Sequence, residues 1–287
     1  MWAALIDVIP EGTPVGWALG AMAGAVLVTG IAKSGFGGGV GILAVPLVAV
    51  ALDAAVAVGV LLPILIAADV VAVAQHRRNW SGFHLRWSLV GGVVGIAAGT
   101  GLLWWFRASG ASGASGGGDA EESLKTLLNL TVGGVCVALV GLQVFRMRRA
   151  GVSERDDTQR SRVVLGKSPG AGVGAGGLAG FVSTLAHAAG PVMTVYILEQ
   201  GLDKRRVVGT LVMYFFVVNL LKLPTYVGFG LITWETLRAS AVLILLVPVG
   251  SWLGLWLNRV IAERPFTLVM YAGAGGAGVW LLVKGLG

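Results

Sequence analysis

The chain has 287 residues, of which 56% are hydrophobic and only 12% are charged, and its mean hydropathy is +0.83. Soluble globular domains carry about 25% charged residues, so this composition excludes an ordinary soluble protein. The formal net charge is +7; we attribute the excess of basic residues to the cytoplasmic loops of a membrane protein and not to binding of nucleic acid.

Several apolar runs reach or approach the roughly 20 residues that a helix needs to cross the hydrocarbon core of a bilayer. In chain order they are Val15–Ile31, Leu52–Ala74, Leu89–Phe106, Leu124–Val144, Val207–Leu221, Ala239–Leu257 and Phe266–Val283. We therefore predict an all-α, polytopic membrane protein. The single cysteine, Cys136, lies within one of these runs, where we expect it to act as a small buried hydrophobe.

Two further apolar stretches are interrupted by glycines and polar residues. Gly30–Pro46 contains KSGFGGG, and Gly180–Tyr196 contains STLAHAAGP. Each stretch is too broken for a plain spanning helix and predicts two part-helices that meet at an irregular turn, either re-entrant or crossing. Non-helical backbone at membrane depth is tolerated only where it is buried in protein or lines a wet cavity.

Two polar stretches divide the rest of the chain. Arg107–Ser123 is rich in Gly, Ser and Ala and is typical of a flexible linker, whereas Arg146–Ser168 is long and rich in arginine. The second stretch lies near the midpoint of the chain. We predict a first membrane repeat at residues 14–146, a cytoplasmic linker at 147–164 and a second membrane repeat at 165–285.

An offset of 150 residues aligns the two halves without a gap. It pairs Gly30 with Gly180, Asp53 with Asp203 and Gly59 with Gly209. Segments 76–87, 146–168, 203–206 and 258–265 hold 15 of the 21 basic residues, which places these segments in the cytoplasm.

With that orientation Asp53 falls outside and Asp203 inside. We therefore predict two inverted repeats, each with an interrupted segment followed by three transmembrane helices. Inverted repeats are typical of secondary transporters, whose binding site lies between the repeats near the middle of the membrane.

The sequence resembles the sulfite exporter TauE/SafE family of bacterial membrane permeases. The resemblance rests on AKSGFGGGVGILAVPL in the first half and on GFVSTLAHAAGPVMTVYIL and VGTLVMYFFVVNLLKLP in the second. It covers nearly the whole chain apart from the Gly/Ser-rich linker. It implies a transporter, not an enzyme, that exports sulfite or an organosulfonate such as sulfoacetate across the cytoplasmic membrane of a bacterium. The alternatives are a permease for another small oxyanion or carboxylate, or a membrane enzyme that acts on a sulfur anion.

The KSGFGGG segment is a candidate anion site. A lysine inside the bilayer costs several kcal/mol unless it is compensated, and a bound anion would compensate it. Glycine N–H groups and the start of a following part-helix would add positive potential at the same place. The residues concerned are Lys33, Ser34, Gly35, Gly37, Gly38 and Gly39. Alternatively, Lys33 snorkels to the cytoplasmic interface and the glycines only allow close helix packing.

The second half offers donors at the corresponding place. Ser183, Thr184 and His187 can each donate a hydrogen bond to an oxyanion, although a neutral histidine bonded to a helix carbonyl is the alternative. Asn219 and Lys222 are three residues apart and therefore share a helix face, just before Pro224, which should break or kink the helix. Snorkelling to the outer interface is the alternative for Lys222.

Asp69 lies in the middle of a predicted span and aligns with Asn219. It is a candidate for proton coupling, as is His187, and the alternatives for Asp69 are a counter-ion for a lysine or a purely structural salt bridge. We expect no metal site and no cofactor. The expected partners are a small anion and the lipid bilayer, a homodimer being allowed, with no nucleic acid.

Glycines at intervals of four residues predict two ridges for close helix packing. One ridge comprises Gly16, Gly20 and Gly24, and the other comprises Gly91, Gly95 and Gly99.

Overall fold

The computed structural model describes residues 2–36, 43–76, 79–111, 118–152, 168–260 and 263–286. Over these ranges the chain forms α-helices and no strands. The helices are α1 (Trp2–Ile6), α2 (Val15–Phe36), α3 (Ala44–Ala51), α4 (Ala54–Gln75), α5 (Gly82–Ala111), α6 (Gly118–Val152), α7 (Pro169–Ala186), α8 (Ala189–Leu198), α9 (Lys204–Gly228), α10 (Trp234–Leu243), α11 (Val247–Val260) and α12 (Glu263–Leu286).

Within the part of the chain that the structure describes, five helical segments are long and apolar enough to cross a membrane. They are Val15–Gly35, Ala54–Gln75, Gly82–Ala108, Arg205–Gly228 and Trp234–Leu257. Shorter apolar helical segments lie within α6, α8 and α12. The prediction of an all-α, polytopic membrane protein is confirmed.

Several helices extend beyond the apolar runs that predict them. Helix α5 continues to Ala111 and α6 begins at Gly118, so much of the stretch predicted as a flexible linker is helical. Helix α6 also continues to Val152, inside the predicted cytoplasmic linker. Its 35 residues correspond to about 52 Å, well beyond the roughly 30 Å of the hydrocarbon core. Alanine and arginine are good helix formers, so the helix persists where the apolar pattern ends.

Proline does not end the one helix in which a proline break was predicted. Helix α9 continues through Pro224 to Gly228, so of the predicted break or kink the break is wrong. Between α10 and α11, by contrast, Ile244–Leu246 tighten into a 3₁₀ turn, in which the Ile244 carbonyl accepts from the Val247 N–H. Pro248 has no N–H to offer that carbonyl, so the tighter turn satisfies it.

The second interrupted stretch has the predicted form. Helix α7 ends at Ala186, His187 and Ala188 form the break, and α8 begins at Ala189. In the first stretch α2 ends at Phe36 and α3 begins at Ala44, and the residues between them lie outside the described ranges. Helix α2 has 22 residues and is long enough to span, so it is not a part-helix. Helices α3 and α8, with 8 and 10 residues, are too short to cross.

The first helix of each half packs against a late helix of the other half. Helix α2 packs on α11, and α7 packs on α5. A Cβ atom on Gly30 would lie 2.7 Å from the backbone of Gly250, and one on Gly180 would lie 2.5 Å from the carbonyl oxygen of Gly92. These two aligned glycines are therefore required for the same reason, which is close approach of two helix backbones.

Only one of the two predicted glycine ridges packs closely. Added Cβ atoms on Gly91 and Gly95 would collide with the backbone of α7, and one on Gly99 would lie 2.9 Å from Thr184. Gly16 and Gly20 instead face open space, so the first ridge makes no comparable backbone contact.

Helices α4 and α9 form the antiparallel centre of the bundle. The carbonyl oxygen of Leu231, just after α9, occupies the space that a Cβ on Gly59 would need at the start of α4. In the same way the carbonyl oxygen of Asn79, just after α4, faces Gly209 at the start of α9. The start of each helix thus packs beside the end of the other, at equivalent positions of the two halves. Inverted repeats would give this arrangement.

Candidate functional site

A small cavity of about 40 Å³ lies where α2, α4, α7, α8 and α9 meet. Its walls are Thr29, Ala32 and Lys33 from α2, Leu65 from α4, Ser183 from α7, His187 to Pro191 from the break and the start of α8, and Phe215 and Asn219 from α9. Small-molecule pockets usually exceed about 300 Å³, so this conformation holds the space nearly closed.

Lys33, Asp69 and Asn219 form one chain of polar contacts across three helices. The Lys33 ammonium donates to Asp69 Oδ1 and, at 3.0 Å, to the carbonyl oxygen of Leu65. Asn219 Nδ2 donates to the other carboxylate oxygen, Asp69 Oδ2, at 2.7 Å. Lys33 is 6% exposed and Asp69 is fully buried, so Lys33 does not snorkel. Asp69 is the counter-ion of a lysine.

Lys222 is a fully buried cation on the other side of the cavity wall. Its ammonium donates to the Ser183 carbonyl at 3.1 Å, to Ser183 Oγ at 2.9 Å and to His187 Nδ1 at 2.8 Å. All three N–H donors are therefore used. Within the described ranges no carboxylate lies within 4 Å of Lys222, so its hydrogen bonds are satisfied while its charge has no direct counter-ion.

His187 occupies a strained position at the break. Its φ of 51° makes it the only described non-glycine residue with a left-handed backbone. Because Nδ1 accepts from Lys222, the ring proton lies on Nε2, which donates to the Val58 carbonyl at 3.0 Å. His187 therefore links α9 to α4 as a neutral side chain, and strain of this kind is typical of functional sites.

The start of α8 lines the cavity and has no side-chain cap. Ala188, Ala189 and Gly190 line the cavity and are buried, and no side chain caps the helix at Ala188. The starts of α7, α9 and α10 differ, because side chains accept from their first turns. An uncapped, buried helix start carries partial positive charge and free N–H groups, which an anion can accept.

The charges around the cavity leave room for one more negative charge. In their ordinary ionisation states Lys33 and Lys222 contribute +2 and Asp69 contributes −1, a sum of +1. The start of α8 adds to this positive potential. In a low-dielectric setting an uncompensated charge is costly, so a small anion in the cavity would be stabilised.

The predicted site residues separate into two groups. Four of them line the cavity: Lys33, Ser183, His187 and Asn219. Lys222 and Asp69 contact these four directly.

The remaining predicted residues lie away from the cavity or outside the described ranges. Thr184 Oγ1 donates back to the Gly180 carbonyl at 2.9 Å, and Gly35 packs against Gly254. Ser34 is buried, and its hydroxyl has no partner within the described ranges. Gly37, Gly38 and Gly39 lie outside the described ranges.

Sequence reasoning missed two polar residues at the site. Thr29 lines the cavity one turn before Lys33, and its hydroxyl donates to the Ala25 carbonyl at 2.8 Å. Tyr226 is fully buried; its hydroxyl donates to the Thr184 carbonyl at 2.8 Å and lies 3.5 Å from His187 Nε2. Tyr226 is four residues after Lys222, so the helical spacing from that lysine could have identified it.

Comparison with known proteins gives one match. A family model described as "Sulfite exporter TauE/SafE" matches residues 22–281, nearly the whole chain. Neither the curated proteins nor the solved structures give a match.

Proposed function

The chain belongs to the sulfite exporter TauE/SafE family of membrane transporters, and we propose that it exports a sulfur-containing anion, sulfite or an organosulfonate such as sulfoacetate. It would do so as a secondary transporter in the cytoplasmic membrane of a bacterium. The observation that carries this proposal is the cavity lined by Lys33 and an uncapped helix start, with Asp69 and Lys222 in direct contact with its lining residues.

The binding site of this proposal lies between the break after α7 and the end of α2. The anion would accept hydrogen bonds from Lys33, from the Asn219 amide and from the first N–H groups of α8. Lys222 would act from behind Ser183 and His187, through its charge and by orienting those two side chains. Sulfonate and sulfite oxygens suit this set, because it consists of donors that converge on one point.

Asp69 would set the energetic cost of substrate entry. In the nearly closed conformation Asp69 neutralises Lys33, so an incoming anion competes with a carboxylate that is already in place. Protonation of Asp69 would release Lys33 to the substrate, which is the coupling role we propose for this residue. His187 is a weaker candidate for coupling, because both of its ring nitrogens are engaged by Lys222 and Val58.

We further propose that the two membrane repeats, residues 14–146 and 165–285, are inverted and that the cavity lies at their interface. Support comes from the antiparallel contacts of Gly59 and Gly209 with the opposite half, and from the contact between the aligned residues Asp69 and Asn219. Transport would then require the α2–α3 and α7–α8 segments to open alternately to the two sides.

The test is anion binding by the purified protein, followed by efflux from proteoliposomes. Sulfite, sulfate, thiosulfate, sulfoacetate and taurine would be compared by titration calorimetry. Lys222→Met should lower the affinity for the best ligand at least about tenfold, because a buried charge next to the site is lost. Lys284→Gln is the matched control, since Lys284 is a partly exposed lysine that pairs with Asp53 at 3.2 Å, far along the chain from the cavity.

Two results would contradict the proposal. One is the absence of saturable binding for every sulfur anion while a carboxylate or another oxyanion binds. The other is equal loss of affinity in Lys222→Met and Lys284→Gln, which would place the effect on overall charge and not on the site.

A further inference from the structure

A second and larger cavity opens on the outer side of the bundle between α5 and α9. Its volume is about 540 Å³, and most of its lining is apolar. Val93, Ile96 and Leu221 line one end and Trp104 and Phe229 the other. We call this cavity the α5–α9 groove.

The α5–α9 groove has polar groups in its wall that the protein already satisfies. Thr100 Oγ1 donates to the Ile96 carbonyl at 2.8 Å and also lies 2.9 Å from Thr225 Oγ1. The two hydroxyls therefore pair with each other across the helices. They leave an apolar surface toward the membrane that suits a hydrocarbon chain better than a polar ligand.

The length of the groove matches one leaflet of a bilayer. Its lining on α5 runs from Val93 to Trp104, twelve residues that span about 16 Å along the helix. Half of the hydrocarbon core is about 15 Å thick. Trp104 and Trp105 are both exposed at this end of α5, as expected for side chains at the membrane–water interface. One end of the groove thus reaches the headgroup region and the other the middle of the bilayer.

The positively charged side chain of Arg107 lies at the interfacial end of the groove. Arg107 is exposed, and its guanidinium carbon lies 5.9 Å from the ring centre of Phe229, which lines the groove. Among the side chains that the structure describes, no carboxylate lies within 4 Å of Arg107. Arg238 offers a contrast, because its guanidinium pairs with Asp7 at 3.0 Å.

We propose that the α5–α9 groove binds one anionic glycerophospholipid. Its phosphate accepts hydrogen bonds from Arg107, and one acyl chain fills the groove toward Val93 and Leu221. Arginine favours this ligand because its planar fork matches a phosphate and because it sits one helical turn from the interfacial tryptophans. A second copy of the chain is the competing occupant, and it would have to bring an acidic side chain to Arg107.

The proposal is tested by lipid competition in nanodiscs that contain equal amounts of phosphatidylglycerol and phosphatidylcholine, with native mass spectrometry to identify retained lipid. The parent protein should retain phosphatidylglycerol in preference. Arg107→Gln should reduce that preference about fivefold, the factor expected for one interfacial basic residue. Arg238→Gln, the matched control, should leave the preference unchanged.

A second variant tests the acyl chain independently of the charge. Ala97 lines the groove and is exposed, so Ala97→Phe fills the space without disturbing the interior. It should abolish retention of both lipids while thermal stability in detergent stays at the parent value. Unchanged preference in Arg107→Gln, unchanged retention in Ala97→Phe, or a crosslinked dimer through the groove with no retained lipid would each overturn the proposal. None of these readouts depends on transport, so they do not test the proposed function.

Discussion

Replacing Lys33 by methionine removes the positive half of a buried ion pair and leaves the Asp69 carboxylate with Asn219 as its one described side-chain partner. The reciprocal change, Asp69→Asn, leaves the Lys33 ammonium with the Leu65 carbonyl. The double replacement removes both charges and keeps an amide at position 69 that can still bond to Asn219. These three variants separate the cost of an unpaired charge from the role of the lysine in binding.

The expected magnitudes follow from the burial of the pair. Removing one partner of a buried ion pair typically costs about 3 to 5 kcal/mol, because the other charge stays buried without compensation. Both side chains here are at least 92% buried, so we expect each single replacement to lose stability within that range. The double replacement should lose less than either single one, which gives a coupling energy of at least about 3 kcal/mol.

The assay is unfolding of each purified variant in mixed micelles, with anion affinity measured on the same preparations. Lys33→Met and the double variant should both lack sulfur-anion binding, although the double variant is the more stable of the two. Asp69→Asn should bind at least as tightly as the parent, with less dependence on pH. Single effects that add to the double effect within about 0.5 kcal/mol would refute the ion-pair reasoning. Anion binding by the folded double variant would refute the role of Lys33.

Three further predictions concern charge, packing and topology. Lys222→Met should weaken binding of a dianion several-fold more than that of a singly charged sulfonate, because the lost attraction scales with ligand charge; titration of thiosulfate against methanesulfonate checks this. Gly59→Ala should lose about 1 to 3 kcal/mol of stability, because its Cβ would collide with a backbone carbonyl. Gly101 faces open space, so Gly101→Ala should be neutral or stabilising in thermal unfolding. In a background without the native cysteine, single cysteines at Asp53 and Asp203 should react with an impermeant maleimide from opposite sides of the membrane, and reaction from one side would exclude inverted repeats.

Apolar pattern predicts the existence of the spanning helices but not their ends. The runs mark only the part of each helix that the bilayer must cover, so Leu124–Val144 becomes a helix from Gly118 to Val152. Pro224 misleads for a related reason. Losing one hydrogen bond costs less than ending a helix inside a membrane, where every exposed backbone group would go unpaired.

The site was predictable in its residue types but not in its pairings. The rarity of charge within apolar spans identifies Lys33, Asp69 and Lys222 directly. Which lysine receives the carboxylate depends on where α2 crosses α4, and the apolar pattern of the sequence does not specify that crossing. The 150-residue offset also contains spatial information, because the aligned residues Asp69 and Asn219 are in contact.

The packing of α2 on α11 and of α7 on α5 has a consequence for how the chain folds during its synthesis. Helix α2 completes its packing only when α11 arrives, and the Gly30–Gly250 contact joins positions synthesised more than 200 residues apart. During translation the first half therefore enters the bilayer before α11 is made, and the α2 face that contains Gly30 has no helix packed against it. A chain cut within residues 153–167 should assemble only when both fragments enter the same membrane.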